Sequence, residues 1–201
     1  MQTLRAALTA TALLALTACS NNLYADVTRF HTNQPINRGT LAVVPLDPSV
    51  ANSLEWRTHA ETVAVQMRRL GYQTGLPQSQ VAYIATIDIA QADGAGNVTR
   101  PGVIVGAGIG VPIGSNAGLG ANVAVPVGSS RRNPAQRATT LFVQIKRQAD
   151  SVQIWEGRAV KQVGAGEDIA AATRAVPLLA EALFREFPGT PGQTVQVRIP
   201  S

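Results

Sequence analysis

Apolar residues recur along this chain with two different periods, and the places where the period changes mark the elements. From Asn52 to Leu70, the residues Trp56, Ala60, Val63, Ala64, Met67 and Leu70 fall at i, i+4, i+7, i+8, i+11 and i+14. That is one stripe of a 3.6-residue repeat, and it predicts an amphipathic helix. Asn52 with Glu55 reads as the N-terminal capping pair, and Gly71 stands where a left-handed C-cap belongs. Arg57, Glu61, Arg68 and Arg69 take the other side, a solvated face. A second helical stretch runs from Asp168 to Phe187, with Val176, Leu179, Ala180, Leu183 and Phe187 as its buried stripe. Pro177 sits in its middle and predicts a break or kink there, because proline clashes with the preceding turn. Phe187-Pro188-Gly189 ends it.

The remaining apolar residues follow strand logic. Val27 to His31 reads as a first strand, and Gly39 to Leu46 as a buried one closed by Pro45 and Pro48. Val81 to Ala90 is rich in β-branched and aromatic residues. Thr139 to Lys146 alternates Leu141, Val143 and Ile145 against Phe142, Gln144 and Lys146. Ala149-Asp150-Ser151 turns the chain, and Val152 to Val160 returns as the paired strand. Thr194 to Ile199 is a final strand with Val195, Val197 and Ile199 inward. This order predicts an α+β fold, a mixed and mostly antiparallel sheet with two helices packed on one face.

Residues 101–130 break the pattern. They carry no charge, and Gly102, Gly106, Gly110, Gly114 and Gly118 recur every fourth residue as in a helix-packing glycine zipper. A finer period contradicts that reading. Val103, Val105, Ala107, Ile109, Val111 and Ile113 occupy odd positions, and the parity resumes at Leu119, Ala121, Val123, Val125 and Val127. Period two belongs to strands, and Pro112 and Pro126 would damage a helix. A glycine-rich β-hairpin insert is therefore expected, turning at Gly114 to Gly118. Three fates stay open for it: a loosely packed surface hairpin, a ribbon that pairs by its edge with a partner or second copy, or insertion into a membrane. Arg131, Arg132 and Arg137 follow it and would meet lipid phosphates in the last case.

The N-terminus carries an address. Met1 to Arg5 holds one positive charge, and Ala6 to Ala18 is an uncharged, apolar or small run of thirteen residues. A spanning helix needs about 20 residues, so this is a signal-peptide core. It ends in Leu16-Thr17-Ala18-Cys19, which resembles the lipobox of bacterial lipoproteins: a branched apolar residue, two small residues, then a cysteine. In that resemblance the chain is cut between Ala18 and Cys19, and the Cys19 thiol takes lipid, a thiolate being the natural nucleophile for acyl-glyceryl transfer. Two or more acyl chains give stable anchoring at about 0.8 kcal/mol per buried CH₂. Ser20 follows instead of Asp, which in the same resemblance implies the outer membrane. The expected organisation is a signal peptide over 1–18, a lipidated N-terminus and tether over 19–26, and one periplasmic domain over 27–201.

Composition narrows the class further. Hydrophobic residues make up 45% of the 201 residues, enough for a core and too many for a disordered chain. The formal net charge is +5, and removal of Arg5 with the leader leaves 17 − 1 − 12 = +4. That charge would suit nucleic acid, but export removes such a partner. An anionic glycolipid or membrane surface stays open. Cys19 is the only cysteine, so no internal disulfide staples the domain.

Searching for chemistry returns little. His31 and His59 are the only histidines, and no metal-ligand spacing appears around them. Gly106-Ala107-Gly108-Ile109-Gly110-Val111 lacks the last glycine of a dinucleotide fingerprint, and no phosphate-loop lysine is present. Gly114-Ser115 and Gly128-Ser129-Ser130 make no nucleophile elbow. Asp88 and Glu156 are the carboxylates suited to acid–base work on a glycan if they flank a cleft, and the ordinary alternative is that they point to water or pair with an arginine such as Arg158 or Arg147. No catalytic residue, cofactor or metal is expected.

Four short motifs carry a family resemblance: Thr40-Leu41-Ala42-Val43-Val44-Pro45, Leu70-Gly71-Tyr72, Ile154-Trp155-Glu156-Gly157-Arg158-Ala159, and Leu183-Phe184-Arg185-Glu186-Phe187-Pro188-Gly189. Together with the lipobox they resemble a Gram-negative lipoprotein family known as domain of unknown function forty-one thirty-six. The resemblance implies an α+β periplasmic domain and supplies no activity. The expected function is that of a non-enzymatic envelope lipoprotein acting by protein interaction or self-assembly. A binding module for an apolar or anionic envelope ligand, such as lipid or glycolipid, is the alternative.

Overall fold

The computed structural model describes residues 23–32, 34–93, 98–99 and 136–200. Ala18, Cys19 and the whole of the expected hairpin, including Val103, Val105, Ile109, Val111, Ile113, Leu119, Val123 and Val125, lie outside the described residues. In chain order the elements are β1 (Leu23–His31), β2 (Leu41–Pro45), α1 (Leu54–Arg69), β3 (Tyr83–Asp93), β4 (Val98–Thr99), β5 (Gln136–Arg147), β6 (Gln153–Gly164), α2 (Ala172–Phe184) and β7 (Thr194–Ile199).

The strands form one sheet in the order β2-β3-β5-β6-β1-β7, with β4 paired to β3 at Gln91 and Ala92. Among the described strands only β2 and β3 run parallel, and α1 makes the crossover between them. β5 and β6 form the expected hairpin, longer than the alternation alone indicates, and β1 lies antiparallel between β6 and β7. The mixed, mostly antiparallel α+β architecture is as expected.

Register decides which side chains meet. Ala25, Val27, Leu41, Ala85, Ile87, Ile89, Leu141, Val143, Ile145, Trp155 and Ala159 share one face and are buried under the helices. Trp56, Val63 and Met67 of α1 and Val176, Leu179 and Leu183 of α2 complete that core. A side chain of this kind contributes about 1.5–3 kcal/mol when fully buried, so this layer is the main source of stability.

Local differences have physical causes. β1 starts at Leu23, because Leu23 and Ala25 continue the inward parity of Val27, and the sheet thus takes four residues from the expected tether. The N-cap of α1 is Ser53, not Asn52: its backbone is extended and its hydroxyl accepts from the Trp56 amide at 3.4 Å. Gly71 does end the helix, with φ +92°. The Gly71 amide donates to Arg68 O and the Tyr72 amide to Met67 O, which satisfies two orphan carbonyls. Pro177 causes no break; α2 is continuous through it. The chain breaks instead at Ala171, whose ψ of 136° separates a 3-10 turn at Asp168–Ala170 from the helix. One proline removes one backbone bond in the second turn, and the fully buried Val176, Leu179, Ala180 and Leu183 hold both sides of it against the sheet. Helix α2 stops at Phe184, so Phe187 packs on the core from the following loop. In β7 only Ile199 is buried, since an edge strand is covered on one side at most.

Candidate functional site

The motifs that carry the family resemblance meet at one end of the sheet, where β1 ends and β6 begins. Trp155, the partner of His31 in register, stacks on Phe184 with ring centroids 5.6 Å apart and on Phe187 at 5.2 Å. Its indole Nε1 donates to Pro188 O at 3.0 Å. Gly157 makes room for this: a Cβ there would lie 2.8 Å from Leu183 Cδ1 and closer still to the Trp155 ring. The glycine in Trp155-Glu156-Gly157 is therefore a packing requirement.

Two arginines close the joint. Arg29 is 4% exposed, and its guanidinium donates to Leu183 O at 2.9 Å, Ala182 O at 3.0 Å and Arg185 O at 2.8 Å. These are the free carbonyls at the C-terminus of α2, the negative end of its dipole. Burial pulls the Arg29 pKa below its usual value, and the Glu186 carboxylate acts in the opposite direction. Arg38 does the same for α1: its Nε donates to Leu70 O at 2.6 Å, and its guanidinium carbon lies 5.4 Å from the Tyr72 ring centre and 5.5 Å from that of Phe187. Two helices ending side by side bring two negative dipole ends together, and one arginine answers each. Period two places Arg29 on the inward parity of Ala25 and Val27, which is the signal by which a buried role is legible in the sequence.

His59 is the second buried polar group that sequence reasoning missed. It sits on the core side of α1, 1% exposed, and its Nε2 has no hydrogen-bond partner among the described residues. The Glu55 carboxylate is 3.8 Å away. Burial lowers the His59 pKa from 6.5, partly opposed by Glu55. The unfolded chain therefore binds the proton first. Stability is full above pH 6.5 and falls as pH drops from there toward the lower folded pKa. Urea unfolding above and below pH 6.5 is expected to show this slope, and His59→Met is expected to flatten it.

The two carboxylates of interest stand on different strands. Both occupy the face opposite α1 and α2, with β5 between their strands. In register Asp88 is level with Phe142 and Glu156 with Gln144, two strand spacings across and two residues along, or about 12 Å between backbones. Glu156 Oε2 accepts from Gln153 Nε2 at 2.7 Å and from Gln144 Nε2 at 3.4 Å, and Arg147 turns to Asp150 at 3.1 Å. Glu156 is thus held by two glutamines among the described residues. Among the described residues no three His, Cys, Asp or Glu side chains are grouped to hold a metal, and no helix is long and apolar enough to cross a membrane.

No family model matches the chain. An uncharacterized protein from Zymomonas mobilis is 27% identical over 215 residues, spanning 86% of this chain and 80% of that protein. Among solved structures, a PDZ domain protein from Parabacteroides distasonis shares the fold with a TM-score of 0.52 at 10% identity over 93% of this chain. This chain spans 41% of that protein's length. PelC from Paraburkholderia phytofirmans, a dodecamer, gives a TM-score of 0.41 at 6% identity over 78% of this chain and 94% of its own.

Proposed function

We propose that the chain is a non-enzymatic lipoprotein of the bacterial envelope, held to the outer membrane by lipid on Cys19 and facing the periplasm, where it acts through protein contacts or self-assembly. The observation that carries this reading is the sequence Leu16-Thr17-Ala18-Cys19 behind an uncharged apolar run, with the lone cysteine of the chain at the position of lipidation. The resemblance to the lipoprotein family named above supports it. So does the use of the family motifs: Trp155, Gly157, Phe184, Phe187 and Gly71 are consumed by packing and helix ends, which leaves them to hold a scaffold.

The uncharged residues 101–130 are the segment through which assembly would work. Size exclusion and crosslinking of the chain from residue 20 onward, with and without 101–130, test this. Larger species that vanish on deletion support assembly, whereas a monomer in both forms contradicts it.

One observation favours the binding-module alternative. On the face opposite α1 and α2, Thr140 is 1% exposed, and its hydroxyl has no hydrogen-bond partner among the described residues, beside the buried Phe142 and Val160. Lipid retained by the domain in native mass spectrometry would support that reading instead.

A further inference from the structure

The first strand of the sheet starts at Leu23, four residues after Cys19, so extended chain from the anchoring residue to the sheet spans at most about 14 Å. β1 has nine residues and at about 3.4 Å per residue is roughly 30 Å long. The tether is thus about half the length of the strand it leads into. It keeps the start of β1 within about 14 Å of the anchoring residue, so that end of the sheet is the one brought to the bilayer.

Several elements gather at that end. Leu23 pairs with Ile199 and Tyr24 with Arg198. β6 finishes there, β5 begins there with Gln136 opposite Gly164, and β3 finishes there with Asp93 opposite Arg137. Asp93 and Gln136 flank the stretch that contains the uncharged residues 101–130, so that stretch also departs from the anchored end. The joint of Trp155, Phe184 and Phe187 lies at the opposite end, about one strand length farther out.

Tyr24 is 41% exposed, and Arg198, also exposed, faces the same way across the β1–β7 ladder. A tyrosine at a bilayer interface sets its ring against the acyl boundary and its hydroxyl among headgroups. An arginine beside it donates to lipid phosphates. Asp93 and Glu167 are near the same end, so this is a local aromatic–arginine contact and not a broad basic face.

We propose that the exposed Tyr24–Arg198 pair, at the end of the sheet where Leu23 and Ile199 close the core, is a membrane-contact surface that rests on the phosphate and acyl boundary of the bilayer. This rests on the lipid-anchor reading of Cys19. Because lipid occupies the native cysteine, a cysteine placed elsewhere takes a nitroxide label alone. The test uses full-length lipidated Tyr24→Cys, Arg198→Cys and Phe30→Cys proteins in phosphatidylethanolamine/phosphatidylglycerol vesicles. Phe30 is the control: it is 50% exposed on the same face of the same strand, six residues along. Labels at 24 and 198 are expected to relax more with lipid-soluble oxygen than with an aqueous nickel chelate, and the label at 30 the reverse. Labels at 24 and 198 as open to nickel as the one at 30, or shielded from both reagents by protein, would overturn the proposal while leaving the anchor intact. An intact mass without acyl chains would instead overturn the anchor reading, and the proposal with it.

Discussion

Arg29→Met is expected to lower the unfolding free energy by about 3–5 kcal/mol, since it strips the donors from three helix-terminal carbonyls at a buried site. Methionine nearly fills the volume, so the loss reports the hydrogen bonds and not a cavity. The bonds to Ala182 O and Leu183 O are buried and the one to Arg185 O is partly buried, and Arg29 as a whole is 4% exposed. Arg29→Lys keeps the charge but cannot span three carbonyls, and falls between. Urea denaturation reads the effect: the midpoint moves down by more than about 1 M with the slope unchanged. A midpoint within error of the parent would mean that the carbonyls at the end of α2 find other partners.

That joint also shows what the sequence discloses and what it withholds. Helix α1 was legible because its stripe, its stop at Gly71 and its solvated face agree with one another. The β5–β6 hairpin was legible because alternation and turn chemistry coincide. Arg29 carried only its inward parity as a signal, and a charged residue in a strand reads as solvated until the end of α2 is seen to arrive above it. His59 was hidden by the same default, and Pro177 misled because local chain stiffness was weighed without the buried residues that brace it. Chain spacing cannot show that Trp155 and Phe187, 32 residues apart, share one stack. Nor can it show that Asp88 and Glu156 are held apart by a whole strand.

Trp155→Ala is expected to cost a further, similar amount, about 3–5 kcal/mol, by opening a cavity where the indole lies against Phe184 and Phe187. The substitution also leaves Pro188 O without its donor. Trp155→Phe keeps a ring in the stack and loses mainly that hydrogen bond, so its cost is expected to be less than half as large. Thermal or urea unfolding of the two variants side by side checks the ranking. Equal losses would place the whole effect in the hydrogen bond and remove the aromatic stack from the account.

Stability measurements leave the cellular role open, and the account of that role turns on one sulfur atom. Intact-mass analysis and membrane fractionation of the wild type and Cys19→Ser proteins, expressed in a Gram-negative host, address it directly. The wild type is expected to be cut before Cys19, to carry acyl mass and to sediment with membranes, and the serine variant to keep its leader and gain no lipid. A wild-type chain of bare peptide mass, or a serine variant processed and sedimenting like the parent, would contradict the lipid anchor.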